Sequence, residues 1–83
     1  MEKEIGTITH YFGKINVAIV ELTNSLKIGD KIRIKGHTSD WEQTVDTMQV
    51  EHEKIEEGKK GDAVGINSKD HAREGDTVYL VTE

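Results

Sequence analysis

The chain is organised around the stretch Leu26-Lys27-Ile28-Gly29-Asp30-Lys31-Ile32-Arg33-Ile34-Lys35-Gly36, because the pattern at its start returns twice. The two further copies are Glu57-Gly58-Lys59-Lys60-Gly61-Asp62-Ala63-Val64-Gly65-Ile66 and Arg73-Glu74-Gly75-Asp76-Thr77-Val78-Tyr79-Leu80-Val81. Each copy places Gly-Asp at a turn before an apolar strand. Glycine supplies the positive φ that other residues resist, and the Asp carboxylate can accept a hydrogen bond from a backbone N–H within the turn. We therefore expect three tight turns, each with its glycine at positive φ.

Outward from these turns, the apolar alternation predicts six short strands and no convincing helix. Gly6 interrupts the first strand, so a bulge or a close backbone approach is expected there. The apolar positions slip phase between Val45 and Met48, so a bulge or bend is expected there too. Residues 15–22 are apolar on both faces, which predicts a strand that is covered twice or crosses a barrel corner. Two-sided strands and bulges favour an antiparallel closed barrel over a small sandwich. The predicted strands are residues 5–11, 15–22, 31–35, 41–50, 63–66 and 77–82.

Composition limits the class of protein. The chain has 83 residues, of which 34% are hydrophobic and 33% charged, so residues 1–83 are expected to form one domain with a modest core. It has no cysteine, which excludes disulfides and thiol chemistry and makes the cytoplasm the expected location. No apolar stretch is long enough for a signal peptide or a membrane span. A net charge of −5 argues against indiscriminate nucleic-acid binding.

Candidate chemical groups are sparse. The spacing of the four histidines fits no compact metal motif, so we expect them on the solvated surface, and we predict no metal or cofactor. No nucleophile and base stand in a recognisable local signature, so no catalytic residue is predicted. The histidines are His10, His37, His52 and His71.

Three aromatic residues lie beside predicted turns, namely Tyr11, Phe12 and Trp41. Such rings can stack on the bases of single-stranded nucleic acid. The alternative, which we prefer, is that Phe12 and Trp41 plug the ends of the barrel, because a small core needs its large residues. The setting of Trp41 between Asp40 and Glu42 is polar, so an inward-facing ring is less expected there.

A row of cations marks the strand at residues 31–35. Lys31, Arg33 and Lys35 share the outward face about 6.6 Å apart and predict a positive ridge about 13 Å long, which His37 could extend. Such a ridge could contact RNA. Lysines on an edge strand can instead serve only to block pairing with other chains.

The residue order resembles two known families. The resemblance rests on Gly6-Thr7-Ile8-Thr9, the three Gly-Asp stretches and residues 45–50. Together they resemble the second domain of translational GTPases, of the elongation factor Tu type, and the small stand-alone elongation-factor-like proteins. The chain is also similar to the C-terminal barrel of collagenase-like peptidases, which shares the Lys27-Ile28-Gly29-Asp30 style of motif.

The resemblance implies an all-β, six-stranded antiparallel Greek-key closed barrel of the translation-factor domain 2 type, which binds and does not catalyse. Glu51 matches the glutamate of the pocket that holds the aminoacylated tRNA end in elongation factor Tu, whereas His52, Glu53 and Ala63 depart from that pattern. The chain has no G-x-x-x-x-G-K-[ST] loop, so we expect no nucleotide to be bound by this chain alone.

Two functions therefore remain. The first is a translation-factor-like module that contacts RNA or the ribosome, which the resemblance favours. The second is a protein-interaction module, or a detached subunit that docks on a larger peptidase-like enzyme or GTPase, which the negative charge favours. For either partner the candidate contact residues are Lys31, Arg33, Lys35, His37, Trp41 and Glu51.

Overall fold

The three Gly-Asp turns form as predicted in the computed structural model, which describes residues 2–37, 39–51 and 53–82. In the first turn the Asp30 N–H donates to the Lys27 carbonyl over 3.1 Å, and the Lys27 N–H donates to Asp30 Oδ2 over 2.9 Å. Both hydrogen bonds recur in residues 59–62, at 2.9 and 3.0 Å, and in residues 73–76, at 3.1 and 3.0 Å. The glycine φ angles confirm the turn geometry: 96° at Gly29, 94° at Gly61 and 92° at Gly75.

Each turn is also fastened to a buried apolar residue elsewhere in the chain. The glycine N–H donates to that residue's carbonyl, and that residue's N–H donates back to the Asp carbonyl. The glycine bonds are Gly29 to Val45, Gly61 to Leu22 and Gly75 to Ile8, each 2.8 Å. The return bonds are Val45 to Asp30 at 2.9 Å, Leu22 to Asp62 at 2.8 Å and Ile8 to Asp76 at 2.8 Å. The repeated motif therefore fixes three points of tertiary structure as well as three local turns.

Strands make up all the regular secondary structure of the described residues, and every pair of neighbouring strands is antiparallel. The all-β antiparallel class is thus confirmed. The strands are Glu2–Phe12 (β1), Val17–Leu22 (β2), Leu26–Lys27 (β3), Lys31–Lys35 (β4), Asp40–Thr44 (β5), Met48–Val50 (β6), Glu53–Lys54 (β7), Glu57–Gly58 (β8), Ala63–Asn67 (β9) and Thr77–Val81 (β10).

The six predicted strands are all present, but one is divided. The predicted strand at residues 41–50 splits into β5 and β6, because residues 45–47 leave the ladder where the apolar phase slips. Three two-residue strands, β3, β7 and β8, lie in segments that were expected to be loops or turns. They are too short to carry an alternation that sequence reading could detect.

Eight strands form one sheet in the order β5-β4-β10-β1-β2-β9-β6-β7, and β3 pairs with β8 in a second. In a flat sheet β5 and β6 would be about 29 Å apart, at about 4.8 Å per strand. The three residues between them can span only about 14 Å. The sheet therefore rolls until these strands approach each other. No ladder within the described ranges joins β5 to β6 or β7, so a closed six-stranded Greek-key barrel is not confirmed.

Gln43 links the two ends of the rolled sheet by side-chain hydrogen bonds. Its Nε2 donates to the carbonyl of Asn67, the last residue of β9, over 2.6 Å, and its Oε1 accepts the Lys69 N–H over 2.7 Å. The same Oε1 accepts the Nε1–H of Trp41 over 2.9 Å. Side-chain bonds thus connect β5, at one end of the sheet order, with β9, the third strand from the other end.

The core fills the inside of the roll and draws its buried residues from β1, β2, β3, β4, β6, β9 and β10 and from the loops, whereas β5 contributes only the partly buried Trp41 packed against it. Gly6 confirms the predicted close approach: a Cβ there would lie 2.6 Å from Val20 Cγ1, and the β1 to β10 register shifts between Glu4 and Gly6. The prediction that residues 15–22 are covered twice is wrong. Ala18, Val20 and Leu22 are buried in the core, but Val17 and Ile19 remain half-exposed on the outer face of β2.

We predict that Gly29→Ala, Gly61→Ala and Gly75→Ala each lower the free energy of unfolding by about 1–2 kcal/mol, the cost of a left-handed conformation for a residue with a Cβ. Nothing lies within 4 Å of the Cβ that would be added at these positions, so the backbone strain is measured without a steric clash. Gly13→Ala is the matched control, because its Cβ would meet only Tyr11, at 3.6 Å, and its φ is not positive. Urea unfolding that found all four variants equivalent would contradict the turn assignment.

We also predict that Gln43→Leu lowers the free energy of unfolding by about 1–2 kcal/mol, because it leaves three hydrogen-bonding groups without their protein partner. The fluorescence of Trp41, the sole tryptophan, should shift as its indole N–H loses its acceptor. Thr44→Val changes an exposed neighbour on the same strand and serves as the control. Unchanged stability and fluorescence in Gln43→Leu would show that the side-chain bridge does not hold the sheet ends together.

Candidate functional site

The predicted cation row lies on β4, with Lys31 and Lys35 exposed and Arg33 half-buried at its centre. Ile32 and Ile34 alternate with them and are fully buried, so the period-two pattern sets the three cations on one face. β4 is not an edge strand, since it pairs with β10 on one side and with β5 on the other. The alternative of edge-blocking lysines therefore does not describe this strand.

Acidic side chains of neighbouring strands form ion pairs with the cations of β4 and offset their positive charge. Arg33 holds the Asp40 carboxylate with two hydrogen bonds, Nε to Oδ1 at 2.7 Å and Nη2 to Oδ2 at 2.9 Å. Its Nη1 donates to Glu2 Oε2 over 2.8 Å, and Lys31 Nζ lies 3.2 Å from Glu42 Oε1. The row is therefore part of a face of mixed sign and not an isolated positive ridge. Asp40 and Glu42 stand at alternate positions of the sequence. A predicted hairpin of β4 and β5 would have placed both carboxylates beside the cation row.

The ion pair between Arg33 and Asp40 shifts the pKa of both side chains. The hydrogen bonds from Arg33, ahead of the direct charge attraction, hold the pKa of the Asp40 carboxyl below its ordinary value. The hydrogen bonds to Asp40 and Glu2 raise the pKa of Arg33, so its guanidinium stays charged at every accessible pH. Bidentate pairing of a planar guanidinium with a carboxylate fixes geometry as well as charge. This pair ties β4 to β5 on the outer face of the sheet.

Of the two aromatic residues expected to plug the interior, Trp41 packs against the core and Phe12 does not. Trp41 faces inward despite its polar setting: it is half-buried, lies opposite the buried Ile34 and packs against the core. The plug interpretation therefore describes Trp41, and its ring does not share the outer face of the cation row. Phe12 is 44% exposed, so it does not plug the interior. Its ring contacts His10 in an edge arrangement with centroids 4.5 Å apart.

The three histidines that the structure describes do not converge. His10 Nδ1 lies 3.3 Å from Glu74 Oε1, His71 packs on Tyr11 with ring centroids 4.5 Å apart, and His37 is exposed after β4. His52 lies outside the described residues. In residues 2–37, 39–51 and 53–82, no three His, Asp or Glu side chains are grouped as a metal site.

A shallow groove of about 380 Å³ runs across the outer face of β2, β9 and β6. Its apolar wall comes from the end of β1, the following turn and β2, and its opposite wall from β6. The lining residues are Phe12, Ile15, Val17, Ile19, Gln49, Glu51, Ala63 and Gly65. Of the six candidate contact residues, only Glu51 lies in this groove. It therefore does not join Lys31, Arg33 and Lys35 in one surface.

Local geometry shapes this groove. Val17, Ile19 and Glu21 share the outer face of β2 opposite Asn67, Gly65 and Ala63 of β9. Gly65 forms the low floor, since a Cβ there would sit 3.2 Å from Val17 Cγ1 and 3.3 Å from Gln49 Cγ. Glu51 has a φ of 50° at the tight connection from β6 to β7, a conformation uncommon for Glu.

Sequence reasoning missed the groove because it expected residues 15–22 to be covered twice or to cross a barrel corner. On the outer face, Val17 lies opposite Phe12 of β1 and Asn67 of β9, and Ile19 lies opposite His10 and Gly65. Both side chains remain half-exposed beside these neighbours. The neighbours are set by strand pairing, which the sequence alone does not give.

Comparison with known proteins places the chain beside peptidase-type proteins. No family model matches the chain. An uncharacterized protease of Methanocaldococcus jannaschii is 44% identical over 81 residues, which are 96% of this chain and 20% of the relative. The chain thus spans about one fifth of the length of that curated relative.

A solved structure shares the fold. It is the C-terminal domain of a putative U32 peptidase of Geobacillus thermoleovorans, which superposes with a TM-score of 0.90 at 14% identity and covers 96% of this chain and 93% of that one. Its selenomethionine variant gives a TM-score of 0.87 at 15% identity. These matches support the likeness to a peptidase C-terminal barrel, and they add nothing to the likeness to elongation factor Tu.

The structure adds one observation about membranes: none of the described residues belongs to a helix long and apolar enough to cross one.

We predict that Arg33→Gln raises the pKa of Asp40 toward its ordinary value of 3.8. The pKa of Asp40 is lowered in the folded protein, so the Arg33–Asp40 pair stabilises the fold at pH values above the ordinary pKa of the carboxyl group. This stabilisation is lost as the pH falls through the lowered pKa of the folded state. Acid unfolding of Arg33→Gln should therefore begin at higher pH than in the wild type. Carboxyl ¹³C titration of Asp40 measures the change directly.

Lys31→Gln is the matched control. It removes a cation from the same strand and face, but the lysine that it replaces pairs with Glu42 and not with Asp40. An Asp40 titration that is the same in the wild type and in Arg33→Gln would contradict the assignment.

Proposed function

We propose that this chain is a non-catalytic docking module of the kind that forms the C-terminal barrel of U32-type peptidases, and that its partner is a protein. The observation that carries the proposal is the nearly complete mutual coverage with the Geobacillus domain, 96% of this chain and 93% of that one. The whole chain thus corresponds to a whole accessory domain. The 44% identity with a fifth of the archaeal protease supports the same interpretation.

The proposed architecture is a six-stranded Greek-key barrel that side-chain contacts complete. The Gln43 side chain of β5 donates to the carbonyl of Asn67 at the end of β9 and accepts the Lys69 N–H, although no ladder within the described ranges joins β5 to β9. β5 is the first strand of the sheet order, and β9 is the third strand from its other end. These bonds support closure of the roll by side-chain hydrogen bonds in place of a continuous ladder.

A protein partner agrees better with the surface than RNA does. Affinity for a phosphate backbone needs clustered cations that are free to pair with phosphates, and Lys31 and Arg33 already pair with Glu42, Asp40 and Glu2. The net charge of −5 adds long-range repulsion. The apolar groove offers instead what a protein interface uses, which is uncharged area at its centre and polar groups at its rim.

The role as a binding module, without catalysis by this chain, is part of the proposal. The polar pairs that the structure brings together, Arg33 with Asp40 and His10 with Glu74, lie on open sheet faces and strand ends, not in a cleft that could exclude water. We further propose that the module acts in the cytoplasm, because a chain without cysteine suits a reducing compartment.

The test is titration of the purified chain into a purified U32-type peptidase from the same organism, by isothermal calorimetry and light scattering. We expect a one-to-one complex with a micromolar Kd, about 8 kcal/mol of binding free energy, that survives ribonuclease treatment. The absence of a complex at millimolar concentration with folded protein, or loss of the complex on ribonuclease treatment, would overturn the proposal. Denatured chain, mixed under the same conditions, controls for non-specific association.

A further inference from the structure

We propose that the groove across β2, β9 and β6 is the docking surface, and that it binds an extended segment of the partner with an apolar side chain beside a lysine or arginine. The proposal rests on the proposed function for the statement that the partner is a protein. The groove and its acidic end, taken from this chain alone, specify the chemistry of the segment.

The apolar part of the groove is unusual for this surface. Ile15 is 61% exposed and Phe12 44% exposed, and Val17 and Ile19 are half-exposed between them. By contrast, the outer face of β4 and β5 carries lysine, arginine, aspartate and glutamate. A chain with only 34% hydrophobic residues that leaves four large ones together on one face presents a contiguous apolar patch of the kind that marks a binding site.

One end of the groove is acidic, because two carboxylates flank a small residue there. Glu21 of β2 lies directly opposite Ala63 of β9, and Glu51 lines the groove with Ala63 from the other side. Both glutamates are exposed, and within the described residues neither forms an ion pair or a side-chain hydrogen bond. The methyl group of Ala63 leaves space between them. Glu21 lies at the rim of the groove and Glu51 in its lining, at backbone positions about 10 Å apart across three strands, so both flexible side chains can reach one cation at the end of the apolar trough.

The remaining charges near the groove do not cancel this arrangement. Lys14 lies in the turn between Phe12 and Ile15, at the apolar end, and His10 beside Phe12 already pairs with Glu74. Lys54 of β7 lies opposite the groove residue Gln49, and Lys59 and Lys60 belong to the turn fastened to Leu22. Within the described residues, none of these three lysines forms an ion pair with Glu21 or Glu51. The groove is therefore polarised along its length, which gives an extended segment a direction as well as a site.

The first experiment measures the groove alone by NMR, with two hexapeptides as probes. Both are acetylated and amidated and made of Gly and Ser, with Leu-Arg at the centre of one and Leu-Glu at the centre of the other. We expect the Leu-Arg peptide to shift the resonances of Ile19, Ala63 and Gly65, and to bind about tenfold more tightly than the Leu-Glu peptide, which is 1.4 kcal/mol.

Matched variants separate the two halves of the groove. Ile15→Ser should weaken the Leu-Arg peptide at least fivefold, whereas Ile28→Ser, which alters another hydrophobic residue with 41% exposure outside the groove, should not. The double change Glu21→Gln and Glu51→Gln should abolish the preference for arginine. The double change Glu56→Gln and Glu57→Gln removes the same amount of negative charge from exposed residues outside the groove. This control should keep the preference for the arginine peptide.

Several results would overturn the inference. They are equal binding of the two peptides, no shift in the groove at millimolar peptide, and shifts confined to other surfaces. Concentration-dependent shifts of the same residues without peptide would assign the groove to a second copy of this chain. Groove shifts with a short aminoacylated RNA and none with peptide would assign it to RNA.

The second experiment repeats the titration against the U32-type peptidase with the same variants. If the wild type binds and Ile15→Ser and the Glu21, Glu51 double variant bind equally well, the groove is not the docking surface while the proposed function stands. If the wild type does not bind, the proposed function fails, and the peptide titration decides the binding chemistry of the groove by itself.

Discussion

The reciprocal hydrogen-bond pair between each Gly-Asp turn and a buried apolar residue is the contact on which the rest of this structure depends. The turn needs a glycine at positive φ, and its Asp carboxylate satisfies the first N–H of the turn. The glycine N–H and the Asp carbonyl are then free to pair with the backbone of Val45, Leu22 or Ile8. A backbone group left unpaired in the core would cost about 1–3 kcal/mol, so these pairs remove a penalty at three places where strand pairing is interrupted.

The three contacts also explain how a small, polar chain keeps a rolled sheet. Ile8, Leu22 and Val45 lie in or beside β1, β2 and β5, so the turns reach both the centre and one end of the sheet order. Asp76 is the most buried of the three aspartates, and Gly36 leaves the space for it, since a Cβ at Gly36 would overlap the Asp76 carboxyl group. The third turn therefore depends on a glycine that directly follows β4, the strand that begins after the first turn. The repeats support one another through the fold.

The parts of this structure that the sequence predicted are those encoded within a few residues. Gly29, Gly61 and Gly75 carry a local backbone requirement, and the phase slip before Met48 marks a local bend, so both were predicted. The free cation row was not confirmed, because the charge of Arg33 is set by Asp40 and Glu2, seven and thirty-one residues away. Gln43, which accepts the N–H of Trp41, also bonds to Asn67 and Lys69, 24 and 26 residues away, and the sequence does not reveal these partners. Register and side-chain partners across strands are the information that a single sequence lacks.

The same strand builds the core and the groove, and this links fold to function. β2 directs Ala18, Val20 and Leu22 inward and Val17, Ile19 and Glu21 outward, at alternate positions of one ladder. The inner set determines the register, because a slip by one residue would exchange the two faces. Register in turn places Glu21 opposite Ala63 and Ile19 opposite Gly65, which sets both the depth of the groove and its acidic end. The proposed binding surface is therefore specified by core packing, and its outer residues can change without altering the residues that hold the sheet together.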